Sequence, residues 1–436
     1  MELKSGYKQT EVGVIPEDWR ITQIRNLKPF VTSGSRGWAA YYSDRGSPFI
    51  RITNLSRETI YLNLADLRFV NVKASDGEAS RTQLRDGDVL ISITADIGII
   101  GYVSPKLQKP AYINQHIALV RFDPGQSNPR FIGYFLASAK PQSLFRALTD
   151  SGAKAGMNLT TVQQVHLALP PTKLEQDAIA DTLSSADDLL EALERVIAKK
   201  RDLKQGATQE LLTGKRRLPN FEVNSGYKKT EIGLIPEDWE VAKLDKYATF
   251  KTGPFGSALH QSDYVDSGVP VVNPMQIVDG KILPTSAMSI TETAARKLSD
   301  FRLSQGNVVI GRRGEMGRCA FVQAEQNGWL CGTGSMIIRT GSSLDGQFIQ
   351  RVLASPPIRA KIENASVGST MINLNQDTLG NLLVPVPPTK GEQEAIATVL
   401  SDMDADIAAL EDNLTKARNL KHGMMQQLLT GKVRLV

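Results

Sequence analysis

The chain has 436 residues, enough for about two to four domains, and its 41% hydrophobic and 22% charged content is that of a folded protein rather than a disordered one. A net charge of +5 permits an acidic partner such as nucleic acid without selecting one. No apolar run approaches the ~20 residues of a membrane span, and two cysteines, Cys319 and Cys331, make neither a disulfide framework nor a zinc-ligand spacing.

The chain opens on SGYKQTEVGVIPEDW, Ser5 to Trp19, within a segment 1–19 that has no apolar signal core. That start leads us to expect a cytoplasmic protein with no membrane partner. A block of mixed character follows over 20–169. Its short apolar runs, bounded by Gly, Asn and Asp, predict strands and turns. FIGYFLAS, from Phe131, predicts a short helix.

The run 170–218 predicts one long helix. Pro170 and Pro171 bar extension upstream. Thr172 and Glu175 have the spacing of a capping box. Ile179, Leu183, Ala186, Leu190, Leu193 and Ile197 then alternate in fours and threes, a heptad seam. Leu189, Val196 and Leu203 are expected to widen the buried stripe. Gly214 stands where a terminal glycine cap belongs. Lys199, Lys200, Arg201 and Lys204 read as a solvated face.

The linker 219–239 repeats the opening phrase as SGYKKTEIGLIPEDW, Ser225 to Trp239. A second block, 240–386, shares the plan of the first but not its residues: GDVLISITADIGIIGYV at Gly87 answers GNVVIGRRGEMGRCAFV at Gly306. The run 387–436 repeats the long helix without a gap. Thr389 and Glu392 stand at its capping box, Ile396, Leu400, Met403, Ile407, Leu410 and Leu414 in its seam, and Gly431 at its cap. Two copies at this period are a tandem duplication rather than a solenoid, and predict a pseudo-two-fold molecule. The fold expected is α+β, with two mixed α/β domains joined by two long helices that pair as an intramolecular coiled coil. Helices packing only on their own domains would leave the matched seam and length unexplained.

The catalytic inventory is empty. Lys215 and Lys432 follow glycines but precede Arg and Val, so neither is a phosphate-binding loop. No Pro-Asp dipeptide exists for a PD…(D/E)xK nuclease. Asn273-Pro274-Met275 breaks the amino-methyltransferase signature at its second proline. Four scattered histidines build no nucleophilic constellation. What remains is polar and basic loop surface. The first block offers Arg36, Tyr41, Arg45, Arg51 and Asn54. The second offers Lys251, Ser257, His260, Asn273, Gln276, Arg312, Arg313 and Arg318. Arg reads guanine edges, Asn and Gln read adenine, and Lys and Arg neutralise phosphate. Each side chain singly is more readily a solvated charge or a turn bond; as sets on matched loops they point to DNA.

GxIPEDW, PPxxEQ and LLTGK, each present twice around unlike blocks, resemble the specificity subunit of type I DNA restriction-modification enzymes over essentially the whole chain. The resemblance implies that 20–169 and 240–386 are target recognition domains, each reading one half of a bipartite, asymmetric site in double-stranded DNA. It implies that the helices run antiparallel and set the unread gap. It also implies a non-catalytic subunit without cofactors of its own. Two methyltransferase subunits carrying S-adenosylmethionine would dock on it for adenine methylation, and motor-nuclease subunits using ATP and Mg would join for restriction. The docking surface implied comprises Pro171, Glu175, Gln176, Pro388, Glu392 and Gln393 at the helix starts, with Trp19 and Trp239 in the phrases. A methylation-only or orphan system is the alternative within the family. A coiled-coil adaptor that never touches DNA is the alternative outside it.

Overall fold

The computed structural model describes residues 5–72, 76–150, 157–222, 226–255, 258–314, 317–366 and 373–436. Ser257, and two residues of the GRRGEMGR loop, lie outside the described residues. The chain forms two compact units, one of residues 1–195 and 411–436, the other of residues 196–410.

Both units carry the same sheet. In the first, strands β1 (Phe30–Ser33), β2 (Val89–Ser92), β3 (Ile100–Tyr102) and β4 (Ile117–Arg121) order as β1-β4-β2-β3, all antiparallel. Helix α1 (Pro129–Ala137) packs on this sheet and opens on Asn128, whose side chain caps two amides. Its apolar face buries Phe131, Ile132 and Phe135 against Val89, Ile91 and Ile100. The core then takes in Trp19 and the start of the long helix α2 (Lys173–Leu212).

The second unit repeats the order with β5 (Ala248–Thr252), β6 (Val308–Gly311), β7 (Cys319–Phe321) and β8 (Ser335–Thr340), as β5-β8-β6-β7. Helix α3 (Gly346–Ala354) answers α1, and α4 (Lys390–Leu428) is the second long helix. Cys319 and Cys331 are buried in this unit as small core groups. Burial pushes the Cys319 thiol up to about 12 and the Cys331 thiol higher still.

Each long helix contributes to both units: the boundaries fall after Arg195 and after Leu410, inside unbroken helix. Within each unit the two helices run antiparallel. In the first, Lys421 meets Asp187 at 2.6 Å and Arg418 meets Glu194 at 2.7 Å. In the second, Lys200 meets Asp406 at 2.8 Å and Lys204 meets Asp404. Lys200 and Lys204 therefore lace the helix pair, which corrects their reading as a merely solvated face. The seam buries Ile179, Leu183, Leu190, Ile197, Ile396, Leu400 and Ile407. Leu189, Val196 and Leu203 do not widen it: they stay 51%, 44% and 54% exposed. A two-helix pair covers only a narrow stripe, and each of these residues sits one position, about 100°, off it.

Both helices end as their glycines dictate. Gly214 and Gly431 adopt φ +66° and +65°, in the left-handed region. A Cβ on Gly214 would come within 2.6 Å of Pro236, and one on Gly431 within 2.4 Å of Pro16.

Candidate nucleic-acid interface

Three loops meet at one end of each sheet, and backbone bonds tie them identically in the two units. Ile93 N–H donates to His116 O at 2.9 Å, and Arg312 N–H to Gly334 O at 2.9 Å. Met157 N–H donates to Ile93 O, as Leu374 N–H does to Arg312 O. The strand ends approach closely beneath. A Cβ on Gly34 would lie 2.1 Å from the Asn114 carbonyl carbon, and one on Gly253 1.9 Å from Gly332 O. Only glycine fits either place. This frame makes Ser92 equivalent to Gly311, Ile93 to Arg312, Thr94 to Arg313, and Gln115–His116 to Thr333–Gly334.

The sequence candidates divide sharply on this frame. Asn54 and Gln276 are buried and occupied. Asn54 Oδ1 accepts the Arg51 amide at 2.9 Å while its Nδ2 donates to Asn63 O and Asp66 O, both at 3.0 Å. Gln276 Oε1 accepts the Asn273 amide at 3.1 Å. Each amide closes a short turn. Asn273 is likewise engaged, its Oδ1 accepting the Gly334 amide at 3.2 Å. Arg51 pairs with Asp66 at 3.3 Å. Arg312 is buried and donates to Asn373 Oδ1 at 3.0 Å; burial and neighbouring Arg313 hold its pKa below the ordinary arginine value. Lys251 lies over the Phe301 ring and near Asp300, and Arg318 is half-buried with a partner of its own.

The uncommitted groups lie elsewhere. Arg36, Arg45 and Arg313 are exposed and make no side-chain hydrogen bond or ion pair among the described residues, and His260 and Tyr41 are exposed as well. Tyr41 is positioned by Trp38, which is buried against Phe49 and Tyr112. Arg36 shares a surface cleft with Ser33, Gly34, Thr94, Gln115 and His116. Gln115, His116 and Thr94 were not singled out in the sequence, because only the strand register brings them to Arg36.

The repeated motifs form a second, matched construction. At the end of α2, Arg217 donates to both Asp238 oxygens at 3.0 Å and to Glu392 Oε2 at 2.8 Å. At the end of α4, Arg434 donates to both Asp18 oxygens at 3.1 Å and to Glu175 Oε2 at 2.7 Å. Thr172 and Thr389 hydroxyls do accept the amides of Glu175 and Glu392. The two carboxylates do not reach back as a capping box requires; an arginine distant in sequence claims them. Gln176 Oε1 accepts the Asn128 amide at 2.9 Å, and Gln393 Oε1 the Asp345 amide at 2.8 Å.

A family model described as "Type I restriction modification DNA specificity domain" matches residues 16–200 and again 236–417. The chain belongs to that specificity family.

Among its relatives, the putative type I restriction enzyme MjaX specificity subunit of Methanocaldococcus jannaschii is 28% identical, with 99% of this chain and 97% of the relative covered. The MjaVIII specificity subunit of the same organism is 23% identical over 97% and 94%. The crystal structure of a type I restriction-modification S subunit from M. genitalium shares the fold: TM-score 0.59 at 15% identity, covering 98% of each chain.

For this specificity-family chain, the expected docking residues differ in exposure. Trp19, Trp239, Glu175, Gln176, Glu392 and Gln393 are all buried, and the four polar ones are spent on bonds inside their own unit. EQ in PPxxEQ is bonded within its own unit in both copies. Pro171 and Pro388 remain exposed, with Leu174 beside the former. Among the described residues no group of His, Cys, Asp and Glu is placed to hold a metal, and no helix is long and apolar enough to cross a membrane.

Proposed function

We propose that this chain is the DNA-recognition subunit of a type I restriction-modification complex, without catalysis of its own. Residues 20–169 read one half of a bipartite site in double-stranded DNA and residues 240–386 the other. The observation that carries this reading is the pair of identical loop frames bearing unlike side chains: Thr94, Gln115 and His116 on one, Arg313, Thr333 and Gly334 on the other. One backbone device used twice with different polar groups suits two different base sequences.

The helix pair fixes the unread gap between the half-sites, since α2 and α4 pass through both unit boundaries without a break. Two methyltransferase subunits dock around the helix starts, on surface that includes Pro171 and Pro388, and bring S-adenosylmethionine for adenine methylation; motor-nuclease subunits add ATP-dependent cleavage. The setting is cytoplasmic.

The test is the methylation motif written by this chain co-expressed with its methyltransferase subunits. A bipartite motif is expected, and exchanging residues 20–169 for another family block changes one half only. A motif without a gap, or an exchange that alters both halves, sinks the assignment.

A further inference from the structure

Resting on that reading, we infer that Gln115 and Arg313 are base-discriminating side chains of the two domains: Gln115 takes an adenine in one half-site and Arg313 a guanine in the other. The frame equivalence is the ground. At two places on it the domains exchange chemistry: Thr94 stands where the second has Arg313, and Gln115 where the second has Thr333. At these two places a pair of loops bonded to each other thus carries its long hydrogen-bonding side chain on opposite members, Gln115 in the first domain and Arg313 in the second.

Both side chains are held at the root; Arg313 is exposed and Gln115 half-buried at the rim of the Arg36 cleft. Ile93 and His116, the neighbours of Thr94 and Gln115, are joined by a backbone bond, and Arg312 and Gly334 are joined likewise. Among the described residues the Gln115 amide meets only the His116 ring, at 3.1 Å, and Arg313 meets no partner. The buried Arg312 guanidinium beside Arg313 sets two positive charges together, and among the described residues the side-chain partner of Arg312 is the neutral Asn373. A glutamine amide matches adenine N6 and N7 bidentately, as an arginine fork matches guanine O6 and N7. The other amides of the expected set, Asn54, Asn273 and Gln276, are occupied by backbone groups.

The experiment is methylation of a randomised-site library by the complex with its methyltransferase subunits, read at both half-sites. Gln115→Glu keeps the side-chain shape but can only accept, so preference at one position of one half-site moves from adenine toward cytosine. Arg313→Gln moves one position of the other half-site from guanine toward adenine. Discrimination for the original base falls roughly ten- to a hundred-fold in each case. The half-site not addressed serves as the internal reference. An unchanged motif overturns the inference, as does an even weakening at every sequence, which is the mark of a phosphate contact or a folding defect. If the unsubstituted complex writes no bipartite motif, it is the proposed function that fails.

Discussion

Replacing Arg217 by alanine is expected to remove a large part of the second unit's stability. Arg217 is the meeting point of Asp238 and Glu392, and Glu392 is only 1% exposed. Taking away one partner of a buried pair leaves the other charge stranded, at a cost of about 3–5 kcal/mol. The Asp238 arm, 22% exposed, adds little to this. For a unit of about 200 residues the loss corresponds to a fall in Tm of roughly 6–20 °C. Trp239 makes the event visible, because its ring lies 5.7 Å from the Arg217 guanidinium. Thermal unfolding followed by tryptophan fluorescence is the assay. The defect has a definite pH sign. Burial already holds the Glu392 carboxyl above its ordinary range with Arg217 present, and removing the arginine raises it further. A carboxyl raised in the folded state stabilises that state below the unfolded pKa, about 4.3, and loses the contribution as pH rises through its folded value. The Arg217→Ala defect is therefore smallest in acid and grows toward neutrality. Combining Arg217→Met with Glu392→Leu, which removes both charges, restores most of the loss. A single variant within about 1 kcal/mol of the parent, or a defect that deepens in acid, refutes the reasoning.

Arg434→Ala breaks the matched cluster in the first unit and costs less, because Arg434 is 35% exposed against 9% for Arg217; the same assay compares them. Gly214→Ala, forced to φ +66° with a Cβ against Pro236, loses at least about 1 kcal/mol in chemical denaturation. Ile197→Ala, in the buried seam, is expected to cost about 2–4 kcal/mol. Leu203→Gln, exposed on the same helix, stays within about 0.5 kcal/mol. Deleting one heptad from each helix, 191–197 with 408–414, keeps the seam in phase and shortens the unread gap with both half-sites unchanged; an unchanged gap in the methylation motif counts heavily against the proposed role of the helices.

Much of this architecture was legible because it is periodic or local. The heptad seam shows in Ile179, Leu183 and Leu190, the helix stops in Gly214 and Gly431, and the duplication in plain repetition. What escaped depends on residues far apart. Thr172 and Glu175 satisfy the capping-box pattern, and nothing within that stretch reveals that Arg434 takes the carboxylate. Asn54 and Gln276 have the chemistry of base readers, yet an amide serves equally well to close a turn, and only burial separates the two uses. Gln115 does not stand out in the sequence for the opposite reason: it lies between strands with no lysine or arginine near it in the chain, and register alone sets it beside Arg36. Leu189 and Leu203 were misread because apolar spacing reports a stripe but not how wide a partner covers it.

The division of the chain between its units also orders its biogenesis. Residues 196–410 are one uninterrupted stretch, so that unit has every residue it needs before 411–436 have been made. The first unit does not: its core includes Leu428 and Leu429, and Glu175 waits for Arg434. A nascent chain leaving the ribosome thus carries an unfinished first domain, with the seat for its closing helix open, throughout synthesis of the second. The domain that starts first is completed last, and its closure joins segments separated by a whole folded unit, whose ordering lessens the entropy lost on joining them.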